Sequence, residues 1–248
     1  MKTASPPRRR LFPVFIALLG LATLGAGTCW ASGRTPPTGT SGPDADALAH
    51  RIEGAVGKSG WDEFGAVRWR LGGRNRHLWD RVHNRARVEF GDVTAYVDLG
   101  THKGVALRDG AAVTGPDGDA LVEKGWAWFC NDSFWLNPAL KLFDDGVVRE
   151  LSADGRLIVR YGAGGVTPGD TYEWTVDASG LPVTSRMWVT VMPIGGVKAR
   201  WEGWVTLANG ARYAATRRLG PLKIQVDDFA VAGTIAEIEA GEPFAVME

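Results

Sequence analysis

The chain has 248 residues, which is enough for one large hydrophobic core or two small ones. Its 28 basic and 28 acidic residues balance, but four of the bases lie in the first ten residues, so the remainder carries 24 bases against 28 acids. Such a surface does not attract nucleic acid over a long range, and no nucleic-acid partner is predicted. The 33 glycines and 11 tryptophans favour a β-rich protein with many turns.

The first 31 residues have the order of a bacterial secretory signal. Basic residues at positions 2 and 8–10 precede an apolar run over 11–24, and small residues follow. A helix that spans a membrane needs about 20 apolar residues, so the short run favours cleavage after Ala31. Two alternatives stay open: an uncleaved membrane anchor, and a lipoprotein that is cut before Cys29 and lipidated there. All three predict a protein of the periplasm or cell envelope.

The next segments predict a linker and then a folded domain. Residues 32–43 are rich in Gly, Pro, Ser and Thr, which is typical of a flexible linker. Asp44 is the expected N-cap of an amphipathic helix over 44–58, whose apolar stripe includes Leu48 and Ile52. We expect residues 44–248 to form a single incomplete β-barrel domain.

From Trp61 onward, apolar and polar residues alternate in short runs, as they do in half-buried strands. Turns that contain Gly, Asp or Asn separate the runs, and together they predict about eleven antiparallel strands. Because a twisted sheet of that size rarely stays flat, the expected fold is mainly β, with a single curled antiparallel sheet. An N-terminal helix and an inserted helix would cover its concave face. The segment 115–118, GPDG, is interpreted as a break in the sheet, and residues 235–248 as an acidic end that covers an edge or hangs free.

Residues 125–142 are unusually aromatic and are interpreted as the inserted helix. The residue before a proline avoids the α region, so the helix should end just before Pro138. Two alternatives stay open: the helix plugs a core, or it lines a cavity for an apolar ligand. Five aromatic residues lie within ten positions of this stretch: Trp126, Trp128, Phe129, Phe134 and Trp135.

The predicted ligand site combines these aromatic residues with residues of the first strands. Trp69 and Trp79 add to the aromatic interior, and Arg68 and Arg70 form a rim that grips a carboxylate or phosphate headgroup. A solvated outer face paired with acids is the alternative for the arginines. The complete predicted site consists of Trp69, Trp79, Trp126, Trp128, Phe129, Phe134, Trp135, Arg68 and Arg70.

Motifs for metal or cofactor binding are absent from the sequence. It contains no H-E-x-x-H and no C-x-x-C, so neither a metal nor a cofactor is predicted. It also lacks a G-x-S-x-G elbow, and the protein is predicted not to be an enzyme. A secreted hydrolase that uses Asp132 with His77 or His102 is one alternative, and a non-catalytic structural or interaction module is another. Cys130, among aromatic neighbours, is interpreted as a buried, inert thiol.

The order of these elements resembles the periplasmic lipoprotein-carrier family of the Lol type over residues 44–230. The matching features are the leader, the helix at 44–58, the strand Val67-Arg68-Trp69-Arg70, the meander and the inserted aromatic helix. The stretches 131–138 (NDSFWLNP) and 141–144 (KLFD) are also similar to uncharacterised secreted bacterial proteins. The resemblance implies an incomplete β-barrel with helices as a lid and an arginine, Arg68 or Arg70, where carriers hold that lid. It implies binding of a lipid, an acyl chain or another apolar molecule, with a lipoprotein as partner.

Overall fold

The computed structural model describes residues 35–191 and 194–248. The predicted leader, Cys29 and the first part of the predicted linker lie outside these residues. The described helices are α1 (Pro43–Ala55), α2 (Lys58–Asp62) and α3 (Gly115–Leu136), with 3-10 helices at Pro138–Lys141, Ile235–Glu237 and Ala245–Met247. Within the described ranges, no helix is long and apolar enough to cross a membrane.

Thirteen strands occur in the described ranges rather than about eleven. The shortest of them, β6, has three residues, which is too few for an alternating pattern to show in the sequence. The strands are β1 (Ala66–Leu71), β2 (Asn75–Asp80), β3 (Arg85–Phe90), β4 (Val93–Asp98), β5 (Gly104–Arg108), β6 (Ala111–Val113), β7 (Val147–Leu151), β8 (Leu157–Tyr161), β9 (Asp170–Val176), β10 (Pro182–Trp188), β11 (Val197–Thr206), β12 (Arg212–Leu219) and β13 (Leu222–Ala232).

All thirteen strands belong to one antiparallel sheet in the order β6-β5-β4-β3-β2-β1-β13-β12-β11-β10-β9-β8-β7. Neighbours in the sheet are also neighbours in the chain except at one seam, where β1 pairs with β13 and Leu71 lies opposite Val226. The edge strands β6 and β7 pair only with β5 and β8 and not with each other, so the sheet is not closed into a barrel. The predicted fold class, a single open antiparallel sheet with an inserted helix, is confirmed.

The contacts of α3 show that the sheet curls around this helix. Its first part packs against β3, β4 and β5, and near its C-terminal end Phe134 contacts Tyr161 of β8 and Tyr172 of β9. A flat sheet would place β5 and β8 about 48 Å apart, at about 4.8 Å per strand spacing. A helix of 22 residues is about 33 Å long. Both halves of the sheet can therefore reach α3 only because the sheet bends around it.

The interior is built from two clusters of buried side chains. One lies between α3 and the first strands and includes Trp69 and Phe129, and the other lies under α1 and strands β8–β12 and includes Trp174. Trp135 and Leu140 pack against both clusters. The end of α3 and the 3-10 helix after it thus join the two halves of the core.

Residues 115–118 break the sheet, as predicted, and they do so as the first turn of α3, which begins ten residues before the aromatic stretch. Pro116 lies in the first turn of the helix, where its missing N–H leaves no helical hydrogen bond unmade. Asp117 follows in that turn, where a negative charge is favourable. The predicted end is confirmed, because Asn137 before Pro138 has left the helical conformation, with φ −162° and ψ 86°.

The predicted helix at 44–58 is divided into two. Helix α1 ends at Ala55, and Gly57 then adopts a left-handed conformation, with φ 66°, before α2 begins. The N-cap of α1 is Gly42, so Asp44 lies in the first helical turn instead of capping it.

The C-terminal segment, residues 235–248, covers the outer face of the first strands rather than an edge. Phe244 is 2% exposed, and its ring lies 4.4 Å from the guanidinium of Arg85. Arg87 donates a hydrogen bond of 2.9 Å to Glu239, and Arg68 lies 3.4 Å from the same carboxylate. Burial opposes ionisation of Glu239, but the hydrogen bonds and charges of Arg87 and its neighbours lower the pKa of this carboxyl below its usual value.

Helix α3 packs closely against the sheet at Gly125. A Cβ at this position would lie 2.5 Å from Cβ of Ala95, whereas a Cβ at Gly54 of α1 would meet nothing within 4 Å. Alanine in place of a helical glycine is otherwise favourable by up to about 1 kcal/mol. We expect Gly54→Ala to stabilise the protein slightly and Gly125→Ala to destabilise it by about 1–3 kcal/mol, measured by urea unfolding. Equal free energies of unfolding for the two variants would contradict the close packing.

The Glu239 contacts predict a pH dependence. Because the pKa of Glu239 in the folded protein lies below the usual 4.5, its ionised carboxylate stabilises the fold. This stabilisation is complete above pH 4.5 and is lost as the pH falls through the lowered pKa. We expect Glu239→Gln to lower the free energy of unfolding by about 1 kcal/mol at pH 7 and to have little effect at pH 3. The exposed Glu242→Gln is the matched control. An effect of Glu239→Gln that is the same at both pH values would contradict the charge-based account.

Candidate functional site

The concave face of the sheet carries aromatic rings in both of its halves, and α3 lies on it. Phe129 is the centre of the first half, with ring centroids 5.3 Å from Trp79 and 6.0 Å from Trp69. Trp69 is wholly buried, and Phe129 is almost so. Strand alternation puts Trp69 of β1 and Trp79 of β2 on the inner face. Trp69 lies opposite His77, and Trp79 lies opposite Val67.

The second half of the aromatic group lies under the C-terminal end of α3. Phe134 packs 5.0 Å from Tyr172 and 5.3 Å from Tyr161. Trp135 stacks on Trp201 at 6.0 Å, and the Trp201 ring stacks on Trp174 at 5.6 Å. Five of the predicted aromatic site residues therefore lie between α3 and the sheet, in separate groups of ring contacts: Trp69, Trp79 and Phe129 in the first half, and Phe134 and Trp135 in the second.

Trp126 and Trp128 lie at the margin of these ring contacts. Trp126 is half-buried and stacks on the ring of His102 at 4.0 Å. Trp128 is half-buried and lines a surface cavity near the start of the sheet. They share α3 with the buried rings but face the outer boundary of the site.

Arg68 and Arg70 are not brought to the aromatic group. Both lie on the outer face of β1, because they alternate with the inward-facing Trp69. Arg68 lies 3.1 Å from Asp228 and donates a hydrogen bond to the carbonyl of Ile238, and Arg70 is exposed. Both arginines thus lie on the outer face, as in the alternative, and Arg68 is paired with acids there.

A different arginine occupies the concave face. Arg217 is wholly buried on β12, directly opposite Trp201, with its guanidinium 5.0 Å from the Trp201 ring. It donates hydrogen bonds to the carbonyls of Leu136, the last residue of α3, and of Ala214. Burial lowers the pKa of Arg217 to about 9. The positive charge also suits the carbonyl end of the helix dipole.

Asn137 adds a second polar contact at the end of α3. Its side-chain amide donates to the carbonyl of Arg212 over 3.1 Å. Together with the Arg217 hydrogen bond, this contact fixes the C-terminal end of the helix to β12. No local pattern predicts this contact, because Arg217 and Arg218 are adjacent and nothing in the neighbouring residues distinguishes the inward-facing arginine from the outward-facing one.

A buried polar cluster joins α3 to β2. Asp132 of α3 lies 2.7 Å from Nε2 of His77 and accepts a hydrogen bond of 2.9 Å from the amide of Asn75. Asn131 donates to the other carboxylate oxygen over 2.7 Å. His77 is wholly buried, stacks on Trp69 at 4.6 Å, and its Nδ1 has no hydrogen-bond partner among the described residues. The predicted pairing of Asp132 with a histidine therefore occurs with His77, while His102 lies against Trp126.

Cys130, two residues before Asp132 on α3, is a half-buried free cysteine. Burial raises the pKa of Cys130 to about 11, so it is a neutral thiol near pH 7. Ser133, next to Asp132, donates its hydroxyl hydrogen to the carbonyl of Cys130. Among residues 35–191 and 194–248, no three metal-ligating side chains come together.

The open space lies at the surface. One cavity of about 530 Å³ lies between residues 38–45 and 151–153, and another of about 450 Å³ lies beside Trp128. Neither cavity reaches the buried rings of Phe129 and Trp69, whose surroundings are filled by side chains. The space beneath the helix, where a hollow was predicted, is occupied by the packed side chains of the first core cluster.

No protein-family model and no curated protein matches the chain. A solved structure of a LolA superfamily protein from Nitrosomonas europaea is similar over 79% of this chain and 97% of that chain, with 10% identity and a TM-score of 0.36. At this level of similarity, a function for this chain has to be argued from its own contacts.

If the hydrogen bond from Arg217 to Leu136 holds the C-terminal end of α3 in place, its loss should increase local opening of the helix. Arg217→Met keeps the bulk but removes the donors to Leu136 and Ala214, and hydrogen bonds of a charged group contribute about 1.5–3 kcal/mol. We expect amide hydrogen exchange at residues 133–137 to become about tenfold faster or more, as measured by mass spectrometry. Arg218→Met, which removes a half-exposed arginine 3.3 Å from Glu202, is the matched control. Equal exchange in the two variants would contradict a fastening role for Arg217.

Proposed function

We propose that this protein binds an apolar or amphipathic molecule, such as a lipid or an acyl chain, between α3 and the concave face of the sheet. The observation that carries the proposal is the aromatic surface shared by the two elements. Phe129, Phe134 and Trp135 on the helix meet rings from both halves of the sheet. If the helix moved aside, these rings would offer a long chain an apolar surface on two sides.

Helix α3 would act as the lid of this site. It enters from the edge strand β6 and leaves towards the other edge strand β7, so it can swing without breaking the sheet. Its C-terminal end is held by hydrogen bonds from Arg217 and Asn137. Such end contacts can be exchanged for water at modest cost, which makes local opening of the helix cheaper than unfolding of the sheet.

We place this activity in the periplasm or cell envelope of a bacterium. The support is the predicted secretory leader at residues 1–31, with an uncleaved or lipidated leader as a membrane tether. Lipoprotein handling is the specific role proposed, since the acyl chains of a lipoprotein are long apolar chains of the kind that this surface suits. The partner would then be the lipoprotein itself.

Brominated lipid tests the proposal directly, because bromine quenches tryptophan fluorescence on contact. We expect saturable quenching when dibromostearic acid is added and no quenching with plain stearic acid as the matched control. The chain should lie beside Trp69, Trp79 and Trp135, so a large part of the total emission should be lost. An unquenched protein that is also empty in native mass spectrometry of material purified from the cell envelope would overturn the proposal and leave α3 as a permanent part of the core.

The His77–Asp132 pair supports one alternative, a hydrolase. The pair supplies a base and an orienting acid, two of the three groups of a hydrolytic triad. His77 is wholly buried, so a substrate would reach it only after α3 moved. This alternative predicts hydrolysis of generic ester or glycoside substrates that His77→Gln abolishes and His102→Gln leaves unchanged. No turnover by the unmodified protein would exclude hydrolysis of those substrates.

A further inference from the structure

The cavity beside Trp128 differs in chemistry from the buried aromatic surface. It has a volume of about 450 Å³ and lies between the first half of α3 and the ends of strands β2, β3, β4 and β5. Part of its wall is apolar: Phe90 and Val93 are buried beneath it, and the half-buried Leu121 and Trp128 flank it on the helix. An apolar wall open at one side suits the first carbons of a chain that enters there.

The mouth of the cavity is positively charged. Arg74, Arg108 and Lys124 line it against a single acid, Asp92, whose carboxylate lies 3.4 Å from Arg108. Lys124 projects over the Phe90 ring, 5.2 Å from its centroid. Of the ten residues that line the cavity, three are basic and one is acidic, so positively charged side chains outnumber negatively charged ones in its wall.

The inner end of the cavity is connected to the buried polar cluster. Asn75 lines the cavity and also donates the hydrogen bond of 2.9 Å to Asp132. Asp132 belongs to the same helix as Trp128, one turn further along. Asn75 therefore connects the wall of the cavity to the polar cluster of Asp132 and His77 through one hydrogen bond.

We propose that this cavity binds the anionic headgroup, a carboxylate or a phosphate, of an amphipathic ligand. Arg108 and Lys124 would contact the anion, while Phe90 and Trp128 would contact the first part of the chain. The inference rests on the proposed function, because that function supplies the chain that continues beneath α3. It adds one property of the ligand, a negatively charged headgroup, which the buried aromatic surface alone does not determine.

Three probes of equal chain length separate the headgroup from the chain: dodecyl phosphate, dodecanol and dodecyltrimethylammonium, with inorganic phosphate as a probe that has no chain. We expect dodecyl phosphate to bind about tenfold more tightly than dodecanol and the cationic probe to bind most weakly, by calorimetry at low salt. The preference should fall as the salt concentration rises, since the basic groups are exposed.

The double variant Arg108→Gln/Lys124→Gln should remove the preference for dodecyl phosphate while dodecanol binds as before. The matched control is Lys198→Gln/Arg200→Gln, which removes the same charge from two exposed positions of β11. Equal affinities for dodecyl phosphate and dodecanol, or a preference that survives the double variant, would overturn the headgroup site and leave the proposed function standing. Equal binding of inorganic phosphate would overturn it in favour of a simple anion site, and no binding of any chain would overturn both proposals.

Discussion

The chain leaves the sheet at one edge, β6, and re-enters it at the opposite edge, β7, so the intervening segment has to cross the concave face. Helix α3 and the 3-10 helix after it make this crossing. The aromatic residues follow from this position, because a helix that touches both halves of a bent sheet needs apolar side chains along most of its length. The curl of the sheet, the two linked core clusters and the filled space beneath the helix all depend on this one connection.

In β1 and β3, apolar side chains that face the core alternate with arginines that face outward. In β1, Trp69 faces the core while Arg68 faces outward to Asp228 and the C-terminal segment. A pattern of alternating arginine and tryptophan predicts this separation but not which side a ligand uses, since both sides contain groups that bind ligands. On the outer side, Glu239 of the C-terminal segment already pairs with Arg68 and Arg87.

Local patterns predicted most of the strands and the end of α3, because hairpins and a proline act on neighbouring residues. The start of α3 was missed because Gly115-Pro116 is as typical of a turn as of a first helical turn. The pairing of Leu71 with Val226 is invisible locally, as is the meeting of Arg217 with Leu136. His77 and Asp132 could be named as candidates by residue type, but their distance of 2.7 Å depends on the docking of α3 onto β2.

The seam between β1 and β13 also affects how the protein is made. Its two strands lie far apart in the chain, because β1 ends at Leu71 and β13 begins at Leu222, so we expect this pairing to form more slowly than the hairpins. Until β13 has been synthesised and docked, β1 presents a bare edge whose backbone groups can pair with another molecule. A chaperone that shields this edge during biogenesis would therefore matter more for the yield of this protein than any single contact in its finished core.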